Sequence, residues 1–252
     1  MPELIVTRRG EIVVLTLNRP DAGNRLTTSL AAEVAQALEA ARADDTARAC
    51  VLTATGDVFC LGGDYQGAGP TPAGRRAYAQ ALLRMDRAMA ALGKPLVAAV
   101  NGPAHAGGFS VVVACDLAVA ARAATFGLPE AARGLFPFIA LAIVKDALPK
   151  KILFDLIYSA RLMDAAEASS LHLVNELTNR EQVLERAVEG ARMAGAHRPD
   201  VVALGRDLYY ALRGLDADES LDRAERALLA ALAVADRQRQ KCAERKIISS
   251  TD

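Results

Sequence analysis

The sequence predicts an α/β fold in which alternating strands and helices precede a helical C-terminal part. Buried strand patterns alternate with amphipathic helix patterns over the first half of the chain, which favours layered strands joined by crossover helices. Beyond about Pro137 the pattern changes and helical periodicity dominates. The chain has 252 residues, enough for one large domain or two modest ones.

The N-terminal elements begin with a hairpin. Two β-branched runs at residues 4–7 and 12–17 flank a Gly-containing turn at 8–11. Residues 18–24 are rich in turn-forming residues and predict a loop. Apolar residues then recur at helical spacing over 27–43, which predicts the first helix.

The middle of the chain contains three short buried strands, predicted at residues 49–53, 95–100 and 116–120. An amphipathic helix at 75–92 separates the first two strands. The segment between the second and third, V-N-G-P-A-H-A-G-G-F-S-V-V-V-A-C-D at 100–116, predicts a loop that leads into an apolar helix.

The chain beyond residue 140 is predicted to be nearly all helix. The sequence Asp164-Ala165-Ala166-Glu167 matches a capping box, which marks a helix start. Apolar periodicity predicts helices at 140–147, 150–159, 164–171, 181–195, 201–214 and 220–244.

Composition excludes several classes of function. Thirty basic residues balance thirty acidic ones and no Trp is present, which argues against a nucleic-acid or membrane-surface partner. The three histidines are scattered without metal-ligand spacing, so we expect no metal site. No signal peptide or membrane-length apolar run is visible, and the four cysteines (Cys50, Cys60, Cys115 and Cys242) lack C-x-x-C pairing. These features predict a cytoplasmic protein with reduced thiols.

Two Gly-containing loops are candidates for chemistry. Gly63 lies in the loop after the first buried strand, and Gly107-Gly108 lie where the apolar helix should begin. Backbone N–H groups at a helix N-terminus are unpaired and favour negative charge, so Gly107 and Gly63 predict an oxyanion site built from main chain. Close packing of the helix explains the glycines equally well at this stage.

Further motifs, taken with these loops, resemble the enoyl-CoA hydratase/isomerase family, also called the crotonase superfamily. The resemblance covers nearly the whole chain, in order. The matching segments are N-R-P-D-A-G-N at 18–24, V-F-C-L-G-G-D at 58–64, K-P-L-V-A-A-V-N-G at 94–102, A-G-G at 106–108, C-D-L-A-V-A at 115–120, F-G-L-P-E-A-A-R-G-L-F-P at 126–137, A-R-L-M-D-A-A-E-A at 160–168 and L-V-N-E at 173–176.

This resemblance implies a crotonase-like spiral of ββα units over residues 1–190 and a helical C-terminal oligomerisation region over 191–252. It implies a homotrimer or hexamer. It also implies an acyl-CoA thioester substrate, with coenzyme A as part of the substrate and no separate cofactor. The family's two carbonyl-oxygen donors fall on the N–H groups of Gly63 and Gly107 in this sequence.

The catalytic carboxylate implied by the family's F-G-x-P-E motif is Glu130. Family hydratases use a second glutamate three residues after the oxyanion glycine, where this chain has Ser110. A serine hydroxyl without an activating partner is far too weak an acid to replace a carboxylate base. A single carboxylate is sufficient to move a proton from C2 to C4, so the sequence favours an enoyl-CoA isomerase. The alternatives are a hydratase working through Glu130 alone, or an acyl-CoA-binding protein without turnover.

Additional binding residues follow from the same resemblance. Gly62, Asp64 and Tyr65 lie where the family places adenosine-contacting backbone, and Arg25 is a candidate for a CoA phosphate. A turn-stabilising role explains Asp64 equally well.

The pocket itself has further candidates. His105 precedes the oxyanion glycine and is a candidate pocket donor, although a histidine satisfied within its loop is the commoner case. Phe136 belongs to the apolar surroundings expected to raise the pKa of Glu130. A carboxylate after Pro129 that serves only a helix N-terminus is the alternative for Glu130.

Overall fold

The computed structural model describes the backbone of residues 1–248 and the side chains of residues 1–234. Its contacts divide the chain into two compact units, Met1–Ala196 and a second unit that begins at His197. Cys242, one of the four predicted thiols, lies outside the described side chains. The other three form no disulfide within the described part of the chain.

The first unit is built around a six-stranded sheet. Its first two strands form the predicted hairpin, and all later pairings in this sheet are parallel. Its strands, in the spatial order β1-β2-β3-β4-β6-β9, are β1 (Leu4–Arg9), β2 (Ile12–Leu17), β3 (Ala49–Ala54), β4 (Leu96–Val100), β6 (Leu117–Ala121) and β9 (Glu176–Thr178).

Three shorter strands form a second sheet in the order β5-β7-β8. These are β5 (Ala104–His105), β7 (Thr125–Gly127) and β8 (Met163–Asp164). β5 and β7 are parallel, and β8 is antiparallel to β7. This small sheet places the loop before Gly107 beside the segment that leads to Glu130, so it organises the two parts of the chain that carry the candidate chemistry.

Helices cover and connect these strands. Thr27 caps the first helix by accepting a hydrogen bond from the N–H of Leu30 (3.0 Å), as a Thr N-cap does. The helices of the first unit are α1 (Thr28–Ala43), α2 (Pro72–Ala90), α3 (Gly107–Ala114), α4 (Phe138–Val144), α5 (Lys150–Ser159), α6 (Ala165–Ser170) and α7 (Val183–Gly195), with 3₁₀ turns at Pro20–Ala22, Pro129–Arg133 and Arg180–Gln182.

The second unit has two described helices, α8 (Pro199–Ala211) and α9 (Ala217–Ile248). Within it, the Arg213 guanidinium lies 4.6 Å from the ring centre of Tyr210. Several large apolar side chains of this unit are exposed in the single chain, namely Tyr209, Leu221, Leu228, Leu229 and Leu232.

The predicted α/β architecture is observed, and the long elements agree with the sequence pattern. The helix at 150–159 and the strand at 12–17 match in both bounds. The Asp164 cap is present, because its side chain accepts a hydrogen bond from the N–H of Glu167 (2.7 Å). The prediction of nearly all helix after residue 140 was wrong at β8 and β9. Strands of two or three residues are too short to show an alternating pattern, and their pairing partners are distant in sequence.

No helix in the described part of the chain combines the length and apolar character needed to span a bilayer.

Candidate active site

A cavity of about 520 Å³ in the first unit brings together much of the predicted site. Its walls come from the Gly63 loop, α2, the start of α3, the 3₁₀ turn that carries Glu130, and α4. The predicted site residues that line it are Gly63, Tyr65, Gly107, Ser110, Glu130 and Phe136. Residues far apart in sequence therefore meet at one largely apolar cavity.

The backbone around Gly63 is held by a short pairing with Leu26. The Leu26 N–H donates to the Gly62 carbonyl, and the Asp64 N–H donates to the Leu26 carbonyl, both at 2.9 Å. The N–H of Gly63 lies between these two bonds and donates to no acceptor in the described part of the chain. This backbone donor is therefore available to a ligand at the cavity wall.

Gly62 allows the Gly63 loop to approach the start of α3. Its φ is +93°, and a Cβ atom there would lie 2.6 Å from the Cβ of Ala106 and 3.1 Å from the nitrogen of Gly107. A side chain at Gly62 would thus separate the two loops. Gly62 does not itself line the cavity.

Gly107 and Gly108 begin α3 but have different surroundings. A Cβ atom on Gly107 would meet only ordinary contacts, the nearest being 3.6 Å from the Gly62 α-carbon and the Gly63 nitrogen. A Cβ atom on Gly108 would lie 2.8 Å from the carbonyl carbon of Cys60. Close packing therefore explains Gly108 but not Gly107. In the described chain, the Gly107 N–H, in the first turn of the helix, has no acceptor.

Ser110 lies one turn along α3 and is buried. Its hydroxyl donates to the carbonyl oxygen of Gly107 at 2.8 Å. The hydroxyl hydrogen therefore forms a hydrogen bond within the helix, and Ser110 is a polar side chain at the cavity wall whose donor is already satisfied.

Glu130 is almost fully buried, with 5% of its surface exposed. It lies in the 3₁₀ turn Pro129–Arg133, and its Oε2 has no hydrogen-bond partner in the described structure. Burial raises the pKa of this carboxyl above its ordinary value, while its own backbone N–H and the Arg133 guanidinium oppose the increase. The cavity thus contains a carboxyl group suited both to accept and to return a proton.

Titratable residues of α2 that line the cavity were not predicted from the sequence, Tyr78 and Asp86 among them. Tyr78 on α2 is buried, and its hydroxyl has no partner among the described residues. Asp86 lies on the same helix, eight residues further along, which places it about 12 Å from Tyr78 along the axis. Both fall on a regular amphipathic helix, so the periodicity that predicted the helix gave no signal that this face lines a cavity.

The remaining predicted binding residues do not line the cavity. The Arg25 side chain donates to the Leu61 carbonyl (2.8 Å), and His105 Nε2 lies 2.8 Å from Thr125 Oγ1. Burial, with a smaller contribution from Arg133, lowers the pKa of His105. Asp64 accepts a hydrogen bond from the N–H of Gly67 (3.1 Å) and lies 3.4 Å from the Arg19 guanidinium. These contacts of Asp64 are those of an aspartate that stabilises a turn.

The sequence profile of the Enoyl-CoA hydratase/isomerase family matches residues 7–243. The chain belongs to this family. A relative from Mycobacterium tuberculosis named as an enoyl-CoA hydratase is 35% identical over 208 residues, which cover 79% of this chain and 76% of the relative. A 2,3-dehydroadipyl-CoA hydratase of Escherichia coli is 32% identical and covers 79% and 78% of the two chains. The resemblance stated from the motifs is thereby confirmed.

Solved structures of this family share the fold. The crystal structure of an enoyl-CoA hydratase from Mycobacterium smegmatis matches with a TM-score of 0.87 at 28% identity, covering 92% of this chain and 91% of that one. An enoyl-CoA hydratase from Bacillus anthracis matches with the same TM-score at 26% identity, covering 94% and 93%. The predicted crotonase-like α/β fold with C-terminal helices is confirmed.

The relatives and solved structures described above are named as hydratases. The sequence-based preference for an isomerase therefore has no specific support among them, and its hydratase alternative is better supported. The family implies an acyl-CoA substrate.

Proposed function

We propose that the protein moves protons on an enoyl-CoA thioester, with Glu130 as the acid–base group and the N–H groups of Gly63 and Gly107 as donors to the thioester oxygen. The supporting observation is that two unpartnered backbone N–H groups and one buried carboxyl line the same cavity. Negative charge develops on the thioester oxygen when an enolate forms, and donors already in place stabilise that charge without reorganisation.

Hydration of a 2-enoyl thioester is the first candidate reaction, favoured by the names of the relatives. In this reaction Glu130 takes a proton from water as the water oxygen bonds to C3. The electron pair of the C2–C3 double bond moves into the enolate, whose charge rests on the thioester oxygen. The protonated Glu130 then returns its proton to C2, so that one molecule of water has been added and the carboxylate is restored.

Isomerisation is the second candidate, and Ser110 favours it. The hydroxyl of Ser110 donates to the Gly107 carbonyl, so no second carboxylate assists at this point of the wall. Shifting a double bond from C3–C4 to C2–C3 needs only one base, because Glu130 removes the C2 proton and delivers it to C4.

Turnover of matched substrates separates these reactions. Purified protein is assayed with 2-enoyl-CoA and 3-enoyl-CoA thioesters of graded chain length, with loss or gain of the conjugated thioester absorbance as the readout. Hydration consumes the 2-enoyl series, and isomerisation converts the 3-enoyl series. The rates of both reactions are expected to fall about 10²- to 10⁴-fold in Glu130→Gln. Glu181→Gln, which changes an exposed residue on a 3₁₀ turn, is the control and is expected to retain activity. Binding of both series without turnover would instead identify an acyl-CoA-binding protein.

We also propose that the chain functions as a homotrimer or hexamer, in line with the predicted oligomerisation region at 191–252. Exposed leucines on α9 support this assembly, because large apolar side chains on a surface are common at subunit interfaces.

A further inference from the structure

The hydroxyl of Tyr78 is a buried polar group without a partner. Tyr78 is 5% exposed, and its Oη makes no hydrogen bond in the described structure. Leaving a buried donor unsatisfied costs free energy, so native structures rarely retain one unless another molecule provides the acceptor. The side chain is also constrained, since its ring lies edge-on to Tyr65 with 5.8 Å between centroids.

The position of this hydroxyl relates it to the oxyanion site. A Cβ atom built on Gly63 would lie 3.3 Å from Tyr78 Cζ and closer still to Oη, inside the distance that real Cβ atoms keep. The phenol therefore lies directly beside the backbone of Gly63, whose N–H has no acceptor among the described residues. Tyr78, Gly63, Gly107 and Glu130 all line that cavity.

The chemistry of the phenol suits a donor. Burial is the largest cause of a raised pKa for Tyr78, and the neighbouring Tyr65 and Asp64 raise it further. The hydroxyl consequently stays protonated at neutral pH and has one hydrogen to donate. The groups around it in the described chain leave that hydrogen without an acceptor.

We propose that Tyr78 is a third hydrogen-bond donor of the oxyanion hole, with its hydroxyl donating to the thioester oxygen of the bound acyl-CoA. The inference rests on the proposed enoyl-CoA chemistry and adds a side chain to the two backbone donors. The bond strengthens as the enolate forms, because the acceptor then carries a full charge. Tyr78 accordingly contributes more to kcat than to substrate affinity.

Polarisation of a bound thioester provides a test that does not depend on turnover. Hexa-2,4-dienoyl-CoA is a conjugated thioester whose absorbance shifts to longer wavelength when donors polarise its carbonyl. Tyr78→Phe is expected to bind it with a smaller red shift and to lose about 10- to 100-fold in kcat, with KM little changed. The matched control is Tyr158→Phe, a 70% exposed tyrosine away from the cavity, which is expected to behave as the wild type.

A second variant keeps both the ring and the hydroxyl. Incorporation of 3-fluorotyrosine at residue 78 makes the phenol a stronger donor, and we expect a larger red shift than in the wild type. The third-donor role would be overturned if Tyr78→Phe kept the red shift and kcat of the wild type, or if fluorotyrosine left the red shift unchanged. Either result would leave the proposed function intact. A wild-type protein that does not bind or polarise the dienoyl thioester would remove the proposed function and this inference together.

Discussion

The start of α3 is packed directly onto the Gly63 loop, since a Cβ atom on Gly108 would lie 2.8 Å from the carbonyl carbon of Cys60. The adjacent Gly107 has no such restriction, although the sequence presents the two glycines as a pair. Gly108 thus allows the close approach of the loop, whereas Gly107 carries an N–H without an acceptor among the described residues.

Alanine substitution should separate these two roles. Gly108→Ala forces the start of α3 away from the backbone of Cys60. It should destabilise the protein by about 1–3 kcal/mol, as overpacking of cores typically does. Gly107→Ala fits without a clash and should change the melting temperature little, yet its methyl group narrows the approach to the N–H and should lower kcat. Thermal melting and enoyl-CoA turnover measured on both variants test this. Equal melting temperatures for the two variants would contradict it.

The buried carboxyl of Glu130 should make both activity and stability depend on pH. Glu130 must be ionised to accept a proton, so activity should rise with pH through a pKa above the ordinary glutamate value. Because the folded protein holds this proton more tightly than the unfolded chain, the stability it contributes is greatest at low pH. It falls as pH rises from the unfolded pKa through the folded pKa.

Comparison with Glu130→Gln isolates this effect. The free energy of unfolding of the wild type relative to the variant should decrease over that pH window by about 1.4 kcal/mol per unit of pKa increase. Urea denaturation at several pH values measures it. A pH-independent difference would show that Glu130 has an ordinary pKa.

Ser110 offers a way to alter the reaction. Ser110→Glu places a second carboxylate at the cavity wall and should raise the ratio of hydration to isomerisation. Ser110→Gln, whose side chain matches that of glutamate in size but carries no charge, should not. Ser110→Ala loses the 2.8 Å bond to the Gly107 carbonyl and should cost only about 1 kcal/mol of stability. Product analysis from both enoyl-CoA series distinguishes the variants. An unchanged product ratio in Ser110→Glu would argue against the one-carboxylate account.

Asn24 should prove important for stability. It is fully buried with φ of 50°, accepts from the Arg19 N–H (2.8 Å), and donates to the carbonyls of Thr55 (2.9 Å) and Val58 (2.7 Å). Asn24→Ala leaves these groups unpaired and should destabilise the protein by about 2–4 kcal/mol. Asn24→Asp retains the acceptor but loses both donated hydrogen bonds, so its loss of stability should remain large. Urea midpoints near that of the wild type would show that water replaces these bonds.

The mass in solution tests the proposed assembly. A trimer or hexamer should give three or six times the chain mass of 26.6 kDa by light scattering. Leu229→Glu, which charges an exposed apolar position on α9, should shift the protein toward smaller species, while Glu181→Gln should not. A monomer at micromolar concentration would rule out the proposed oligomer.

The residue types that define the candidate chemistry were visible in the sequence. Glu130, Ser110 and the glycines at 63 and 107 lie in motifs whose order along the chain indicated the family, and long periodic segments predicted the main helices and strands. These features are local, because turn residues, caps and apolar periodicity act over a few neighbouring positions.

Other features depended on tertiary structure. The separate roles of Gly107 and Gly108 follow from which backbone approaches each one. The short strands β5, β7 and β8 form through pairing with segments that are distant in sequence. Tyr78 has the sequence signature of an ordinary core residue on an amphipathic helix, and only the folded chain brings its hydroxyl beside Gly63. By itself, then, the sequence determined the family, the α/β class and the single glutamate. The meeting of distant segments decided which residues line one cavity, because steric fit between residues far apart in the chain leaves no local pattern.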